Sequence, residues 1–199
     1  MGLAAADGRG RRFTPLPSHE PPSSHLPGYQ ELFDSRGAGY DDAMARWPSA
    51  RDEEFAFAID LAGPVAGERM LDVPAGGGYL AERLPDGVEY LALETAPSFA
   101  ARCRARGLDV VEAPLDGSTL PAGSVDVVVS IAGVHHEADL GALLGAWRRL
   151  LRPGGRVVVA DVAVGVSVAT FLDGFVGRHN GVGHAGTFLG PDVRSIAAR

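Results

Sequence analysis

Three consecutive glycines stand directly after a short apolar run that contains a carboxylate. The run is residues 70–73 with Asp72 inside it, and the loop that follows consists of Pro74, Ala75, Gly76, Gly77 and Gly78. Glycine lets the backbone approach a ligand that a Cβ atom would keep away, and the N–H groups of a following helix point to the same place. The pattern predicts a ligand-binding loop, although a tight turn without a ligand would show the same glycines.

A second acid closes the next apolar run. Glu94 directly follows residues 90–93. An acid at the tip of the second strand of a doubly wound sheet is placed to accept hydrogen bonds from the hydroxyls of a ribose. The alternative is a solvated surface acid, but the apolar run immediately before Glu94 favours a ligand-binding role.

The elements that must position these acids alternate between apolar runs and helical patterns. The alternation predicts an α/β fold, a doubly wound and mostly parallel sheet with helices on both faces. Ligands of such sheets bind beyond the carboxyl ends of the strands, which is where Asp72 and Glu94 fall. The strands are predicted at residues 68–73, 88–93, 108–113, 125–130 and 156–162, and the helices between them at 78–84, 97–106 and 139–151.

The region before this core is rich in proline and then in helical patterns. Residues 1–27 contain five prolines and are predicted to be a disordered tail. Residues 28–64 are predicted to form helices that cover the site, one at 40–46 and a second that is capped by Ser49 and ends near Leu61. Three aromatic residues of this region either face the ligand or pack on the sheet: Tyr29, Tyr40 and Trp47.

After the core the pattern is less regular. A helix is expected at 166–178, a glycine-rich loop at 180–186 and the start of a last helix at Pro191. Residues 166–199 are therefore interpreted as a cover over the acceptor side, followed by an incomplete final helix.

Four motifs in order resemble class I S-adenosylmethionine-dependent methyltransferases of the small-molecule type, and the resemblance covers residues 65–165. Residues 71–78 resemble the first motif, with Pro74 where the family most often has glycine, and Glu94 matches the ribose-binding acid. The other motifs are at 114–121, 124–130 and 146–157.

The resemblance implies a strand order of 3-2-1-4-5, S-adenosyl-L-methionine as the cofactor, and methyl transfer to a small-molecule acceptor. It places Asp116 at the amino group of the adenine. The cofactor-binding residues that it implies are Asp72, Pro74, Ala75, Gly76, Gly77, Gly78, Glu94, Thr95, Leu115, Asp116, Gly117, Ser130, Ile131 and His135.

Histidines follow the fourth strand, where the transferred methyl group should lie. His135 is the candidate catalytic residue, because imidazole as a residue type titrates near neutral pH and can take a proton from an acceptor hydroxyl. No metal is predicted, because neither a cysteine pair nor a helical His-x-x-x-His pattern is present. The candidate substrate-binding residues are His136, His179 and His184.

Charge and composition limit the partners and the compartment. The 199-residue chain has a net charge of −7 at pH 7 and no dense Lys/Arg cluster, so no nucleic-acid partner is expected. No apolar run approaches the roughly 20 residues of a membrane span, so no membrane partner is expected either. The single cysteine, Cys103, fits a reducing cytoplasm.

Two other functions stay open at this point. Residues 76–81 also fit the G-x-G-x-x-A pattern of an NAD-dependent oxidoreductase, although an acid such as Asp72 is uncommon directly before that loop. The other alternative is a catalytically silent cofactor-binding or regulatory domain. Too few residues follow Pro191 for the C-terminal β-hairpin of the resembled family, so the fifth strand would be an exposed edge at which a homodimer could form.

Overall fold

The computed structural model describes residues 29–176 and 188–191. Its centre is a sheet of five parallel strands in the order β3-β2-β1-β4-β5, which confirms the predicted fold class and strand order. The strands are β1 (Arg69–Asp72), β2 (Glu89–Glu94), β3 (Val110–Glu112), β4 (Val125–Ile131) and β5 (Leu151–Ala160). The predicted tail at 1–27, the loop at 180–186, His179 and His184 lie outside the described residues.

Helices cover both faces of the sheet because neighbouring strand residues point to opposite sides. Leu71 of β1 belongs to the same buried cluster as Trp147, whereas its neighbour Met70 belongs to a second cluster with Phe55. The helices are α1 (Tyr29–Arg46), α2 (Asp52–Ala62), α3 (Pro97–Ala105), α4 (Leu140–Leu150) and α5 (Ser167–Phe171). Among the described helices, none is long and apolar enough to cross a membrane.

Helix α4 follows from the sequence most directly. Its N-cap is Asp139, whose carboxylate accepts a hydrogen bond from the backbone N–H of Ala142 at 2.8 Å, as expected for a capping acid. Its apolar face is buried, and the fully buried Trp147 donates a hydrogen bond from Nε1 to the carbonyl of Leu115 at 2.7 Å. The helix is thereby tied to the loop after β3.

The N-terminal helices differ from the prediction. Helix α1 begins at Tyr29 rather than near residue 40, although its two internal glycines lower helix propensity. Tertiary contact explains the difference, since a Cβ atom at Gly37 would lie 2.8 Å from the Ser98 hydroxyl of α3. Ser49 does not cap α2. It lies in a turn, its carbonyl accepts from the N–H of Asp52, and the N-cap is Arg51 without a side-chain hydrogen bond.

Smaller differences occur around the sheet. The segment predicted as a helix at 78–84 is a 3₁₀-helix (Tyr79–Arg83), and β3 is shorter than predicted. The strand predicted at 156–162 is β5 (Leu151–Ala160), which begins earlier and is only half-buried because it is an edge strand of the described sheet. The helix expected at 166–178 is α5 followed by a π-helical turn (Leu172–Val176).

Candidate functional site

Two cavities open at the carboxyl ends of the strands, where a doubly wound sheet binds ligands. We call the one beside the glycine loop the smaller cavity; its volume is about 240 Å³. It is walled largely by aromatic side chains. The predicted site residues that line it are Asp72, Pro74, Ala75, Gly76, Ile131, His135 and His136.

The larger cavity has a volume of about 800 Å³ and lies beyond the ends of β2 and β3. Among its described lining residues are four carboxylates and neither a lysine nor an arginine. The predicted site residues Thr95, Leu115 and Asp116 line it. The four acids are Glu112, Asp116, Glu137 and Asp139.

A contact between Tyr29 and Glu94 divides the two cavities. Tyr29 lines both of them, and its hydroxyl donates a hydrogen bond to Oε2 of Glu94 at 3.0 Å. The same oxygen accepts from the N–H of Gly76 at 2.8 Å, and Oε1 accepts from the N–H of Ala96 at 2.8 Å. We name this contact the Tyr29–Glu94 divide.

Glu94 is not the solvated acid that the sequence left as an alternative. Its side chain is 0% exposed, and this burial raises the pKa of Glu94 to about 7. Its hydrogen bonds to Ala96, Tyr29 and Gly76 oppose the rise because they stabilise the charged form. The acid therefore lies between the two cavities, next to the glycine loop.

Asp72 is the carboxylate of the smaller cavity. It accepts a hydrogen bond from the hydroxyl of Tyr90 at 2.7 Å. Burial raises the pKa of Asp72 to about 7, and the hydrogen bond from Tyr90 is the largest opposing effect. The charge of Glu94 raises this pKa further, whereas that of Arg51 lowers it. A cationic ligand group in this cavity would favour the charged form of Asp72.

The three loop glycines do different work. Gly76 has φ +54° and a Cβ atom there would meet no protein atom within 4 Å, so the space beside it is open to a ligand. Gly78 has φ +78°, and its Cβ would lie 2.4 Å from the Leu108 side chain. A Cβ at Gly77 would lie 2.8 Å from the ring of Tyr79. Gly77 and Gly78 therefore allow close packing, and Gly76 faces open space.

Cys103 supports the same loop. Its thiol is buried and donates a hydrogen bond to the carbonyl of Gly76 at 3.2 Å. Burial raises the pKa of Cys103 to about 12, so the thiol stays protonated and unreactive at neutral pH.

His135 and Asp161 form a hydrogen-bonded pair at the wall of the smaller cavity. Nδ1 of His135 lies 2.7 Å from Oδ1 of Asp161, whose side chain is 1% exposed. The carboxylate also accepts from the N–H groups of His135 at 3.2 Å and Val162 at 2.7 Å. Although burial alone would raise it, the pKa of Asp161 is lowered by the His135 contact and these backbone bonds.

The second histidine has an aromatic environment. The ring of His136 packs edge-on against Tyr29 and Phe33 at 5.6 Å from each, and lies 4.1 Å from the ring of His135. The structure thus brings the candidate residues His135 and His136 to one wall of the smaller cavity.

Besides Gly77 and Gly78, three predicted cofactor-binding residues line neither of the two cavities: Glu94, Gly117 and Ser130. Ser130 is fully buried at the end of β4, and its hydroxyl has no partner in the described chain. Gly117 lies in a turn with φ +64°, and its carbonyl accepts a hydrogen bond from the Arg149 guanidinium at 3.2 Å. Glu94 reaches both cavities only through its hydrogen-bond partners.

Two site residues were missed from the sequence, and for one of them a signal existed. Asp161 directly follows β5 (Leu151–Ala160), which is the same position after a strand that singled out Glu94 after residues 90–93. Arg51 gave no such signal, because it precedes a helix far from the motifs.

The chain contains a methyltransferase domain. Residues 71–159 match the family described as "Methyltransferase domain". Together with the strand order and the site at the strand ends, the match identifies residues 71–159 as a class I S-adenosylmethionine-dependent methyltransferase domain, and the cofactor of such domains is S-adenosyl-L-methionine. The oxidoreductase interpretation is therefore wrong.

Relatives with assigned names agree with this family. The chain is 40% identical over 114 residues to the demethylmenaquinone methyltransferase of Thermus thermophilus, covering 52% of this chain and 51% of that relative. It is 32% identical over 106 residues to the ubiquinone biosynthesis O-methyltransferase of Xanthomonas oryzae pv. oryzae, covering 49% of this chain and 44% of that relative. The chain thus spans about half the length of the curated relatives it matches.

A solved structure shares the fold. An S-adenosylmethionine-dependent methyltransferase from Thermotoga maritima superimposes with a TM-score of 0.70 at 17% identity, covering 84% of this chain and 78% of that one.

The residues present fit the cofactor. The open space beside Gly76 can receive a ligand, and Thr95 Oγ1 and Arg51 Nη2 are buried polar atoms without a partner in the described chain. Buried polar groups normally find partners, so these atoms mark places for a polar ligand. Among the described residues, no group of three His, Cys, Asp or Glu side chains could hold a metal ion.

Proposed function

We propose that the protein methylates a phenolic small molecule that enters the smaller cavity. The observation that carries the proposal is the His135–Asp161 pair, which stands on the wall of the cavity that also holds Asp72 and the open side of Gly76. A base is required for a hydroxyl acceptor, whose proton must leave.

The residues that would hold the cofactor are distributed over both cavities. Asp116, Leu115 and Thr95 of the larger cavity would bind the adenine, and Glu94 the ribose. Asp72 of the smaller cavity would bind the amino group of the methionine part. When bound, S-adenosyl-L-methionine supplies an electrophilic methyl group on a positively charged sulfur.

His135 would take the phenolic proton. Asp161 is ionised at neutral pH because its pKa is lowered, so it favours the imidazole tautomer with the proton on Nδ1. That tautomer carries its lone pair on Nε2, which can accept the proton. Asp161 then stabilises the imidazolium that forms, as the acid of a hydrogen-bonded triad does.

The walls of the smaller cavity suit a flat apolar ring. Phe33, Phe55 and Phe99 line it together with three tyrosines, and aromatic side chains pack well against such rings. Positioning of the acceptor against the methyl group accounts for much of the catalysis expected here, on the order of 7–11 kcal/mol in well-oriented reactions.

Deprotonation of a phenol activates both its oxygen and the ring carbons beside it. The proposal therefore covers O- and C-methylation. The names of the Xanthomonas and Thermus relatives, an O-methyltransferase of ubiquinone biosynthesis and a demethylmenaquinone methyltransferase, support this acceptor class.

The test is methyl transfer by the purified full chain to a panel of phenols, catechols and hydroquinones, with products identified by mass. We expect His135→Asn and Asp161→Asn to lower kcat by about a hundredfold, the usual contribution of a general base. Asp60→Asn, an exposed change on α2, serves as the control that keeps kcat. Cofactor binding without transfer to any phenol would contradict the proposed acceptor class.

A further inference from the structure

The exposed apolar side chains of the protein are concentrated beside one edge of the sheet. Of the nine large apolar side chains that are exposed in the described residues, eight lie in two segments, one formed by α2 with the residues after it and the other by residues 164–175. Single exposed apolar residues are common, whereas such a concentration marks an interaction site. We call these eight side chains the apolar surface: Phe57, Leu61, Val65, Val164, Val166, Val168, Phe171 and Phe175.

Both segments adjoin β5, the strand at that edge of the sheet. Helix α2 shares a buried cluster with β5, and Nη2 of Arg156 in β5 donates a hydrogen bond to the carbonyl of Gly63, the C-cap of α2, at 2.7 Å. Residues 164–175 continue the chain beyond the carboxyl end of β5, and the rings of Phe171 and Phe175 stack there with their centroids 5.4 Å apart. The apolar surface therefore lies beside β5 and beyond its carboxyl end.

The outer side of β5 offers backbone groups for a further strand. The carbonyl of Ala160 accepts a hydrogen bond from the N–H of Ala132, which directly follows β4, so the backbone of Ala160 faces β4. Because neighbouring strand residues direct these groups to opposite sides, the backbone groups of Val157 and Val159 face away from β4. Among the described strands, none pairs with that side of β5. The run 157–159 also has no proline, lysine or bulge, the usual protection of an edge strand.

The area of the apolar surface suits a stable protein interface. A half-exposed aromatic side chain presents on the order of 100 Å², so eight large side chains approach the roughly 800 Å² that each partner buries in a standard interface.

The charge of the same region favours an identical partner. Residues 162–176 contain one charged residue, Asp173, and no basic residue. Binding to anionic lipid requires lysine or arginine, and the net charge of −7 opposes it. An apolar and nearly uncharged surface is instead typical of interfaces between identical chains.

We propose that two copies of this chain pair their β5 strands antiparallel about a twofold axis, which joins the two sheets and covers the apolar surface. Dimers of this symmetry are the commonest oligomers. Val157 of one protomer lies opposite Val159 of its partner, and each such pair exchanges two hydrogen bonds. Arg156 then lies opposite Ala160, so no like charges face each other across the strands. The dimer does not depend on the proposed function.

The test is the mass of the full chain in solution, measured by sedimentation velocity over a range of protein concentrations. We expect a dimer. Val159→Pro removes one outward N–H, which an edge strand tolerates, and should raise the dimer dissociation constant about ten- to a hundredfold because the symmetry doubles the lost hydrogen bond. Leu61→Asp should raise it about tenfold by placing a charge in the interface.

Trp47→Asp is the matched control. Trp47 is the ninth exposed side chain, at 57% exposure, and lies outside the apolar surface. This variant should leave the dimer dissociation constant unchanged. Melting curves show which variants are folded, and if Val159→Pro is not, Leu61→Asp and hydrogen exchange decide. Exchange at the amides of Val157 and Val159 should slow as the protein concentration rises, which contact through side chains alone would not produce.

The contrary outcomes are equally specific. A monomer at every concentration would overturn the proposal, and a monomer that binds phosphatidylcholine vesicles would assign the apolar surface to lipid instead. Equal weakening by Trp47→Asp and Leu61→Asp, or exchange at Val157 and Val159 that is independent of concentration, would also overturn it. Cofactor binding and methyl transfer are measured separately, so these outcomes leave the proposed function standing.

Discussion

The smaller and the larger cavity differ in charge, and under the proposed function this difference would set the direction in which the cofactor lies across them. The larger one is acidic and suits neutral groups that donate hydrogen bonds, such as an adenine amino group. The smaller one pairs Arg51 with Asp72 and suits a zwitterion. The comparison teaches that charge at two ends of one site can orient a cofactor before any close contact forms.

The largest change in cofactor affinity is expected when the charge of either central acid, Asp72 or Glu94, is removed. Asp72→Asn and Glu94→Gln keep the shape of the side chain but remove the charge that would hold the ammonium and the ribose. We expect each to weaken binding of S-adenosyl-L-methionine by about 1.5–3 kcal/mol. Calorimetric titration checks this value, with Asp109→Asn at an exposed position as control. Unchanged affinity in both variants would contradict the site.

The pH dependence of binding is expected to be nearly as large. The pKa values of Asp72 and Glu94 are raised to about 7 by burial. Binding of an ammonium requires the charged form of Asp72, so affinity should fall by about tenfold as the pH is lowered from about 8 to about 6. Asp72→Asn should flatten this dependence, and an equally steep profile in that variant would show that another group causes it.

Stability of the ligand-free protein should change in the opposite direction. Carboxyl groups of the unfolded chain titrate near pH 4, so the native protein binds more protons than the unfolded chain between about pH 4 and 7. The contribution of Asp72 and Glu94 to the free energy of unfolding is therefore present below about pH 4 and is lost as the pH rises through about 7. Melting temperatures of wild type and Asp72→Asn at several pH values measure this difference.

A smaller effect is expected at the larger cavity. Asp116 is half-buried and already accepts a hydrogen bond from the N–H of Ser118 at 2.8 Å. Asp116→Ala should weaken the binding of S-adenosyl-L-methionine by roughly fivefold, which corresponds to the loss of about one hydrogen bond. The ligand 5′-methylthioadenosine lacks the amino acid end, and its affinity should fall by the same factor in Asp116→Ala. A loss for S-adenosyl-L-methionine alone would place Asp116 at the wrong end of the cofactor.

The smallest expected effect concerns the Tyr29–Glu94 divide. The Tyr29 hydroxyl uses an oxygen of Glu94 that a ribose would need. Tyr29→Phe keeps the ring and removes this competitor, so affinity should rise about two- to threefold, the lower end of the range for one hydrogen bond. The measurement is again calorimetric titration. Weaker binding would mean that the hydroxyl belongs to the binding site rather than competing with the ligand.

The sequence predicts the sheet and its two central acids because both depend on local patterns. Apolar runs of strand length separated by helical patterns suffice for the parallel topology, and Asp72 and Glu94 lie where such strands end. Asp161 follows the apolar run at 157–160 in the same way, so the same pattern also indicates this acid.

The divide and the place of Arg51 in the site depend on contacts between distant parts of the chain. Tyr29 and Glu94 are 65 residues apart, and nothing in the pattern around Tyr29 distinguishes packing from a place in the site. Arg51 could not be identified from the sequence for the same reason, since the residues beside it in the cavity lie on other elements.

The helix predicted at 78–84 is instead a 3₁₀-helix (Tyr79–Arg83), and Gly78 before it has φ +78°.

The central claim is that one cofactor molecule crosses the Tyr29–Glu94 divide in a fixed direction. A crystal structure of the full chain with S-adenosylhomocysteine tests it most directly. We predict the adenine beside Asp116, the ribose hydroxyls on Glu94, and the amino acid end between Asp72 and Arg51. Density for the ligand in the reverse direction, or confined to one cavity with the Tyr29–Glu94 hydrogen bond intact, would contradict the account.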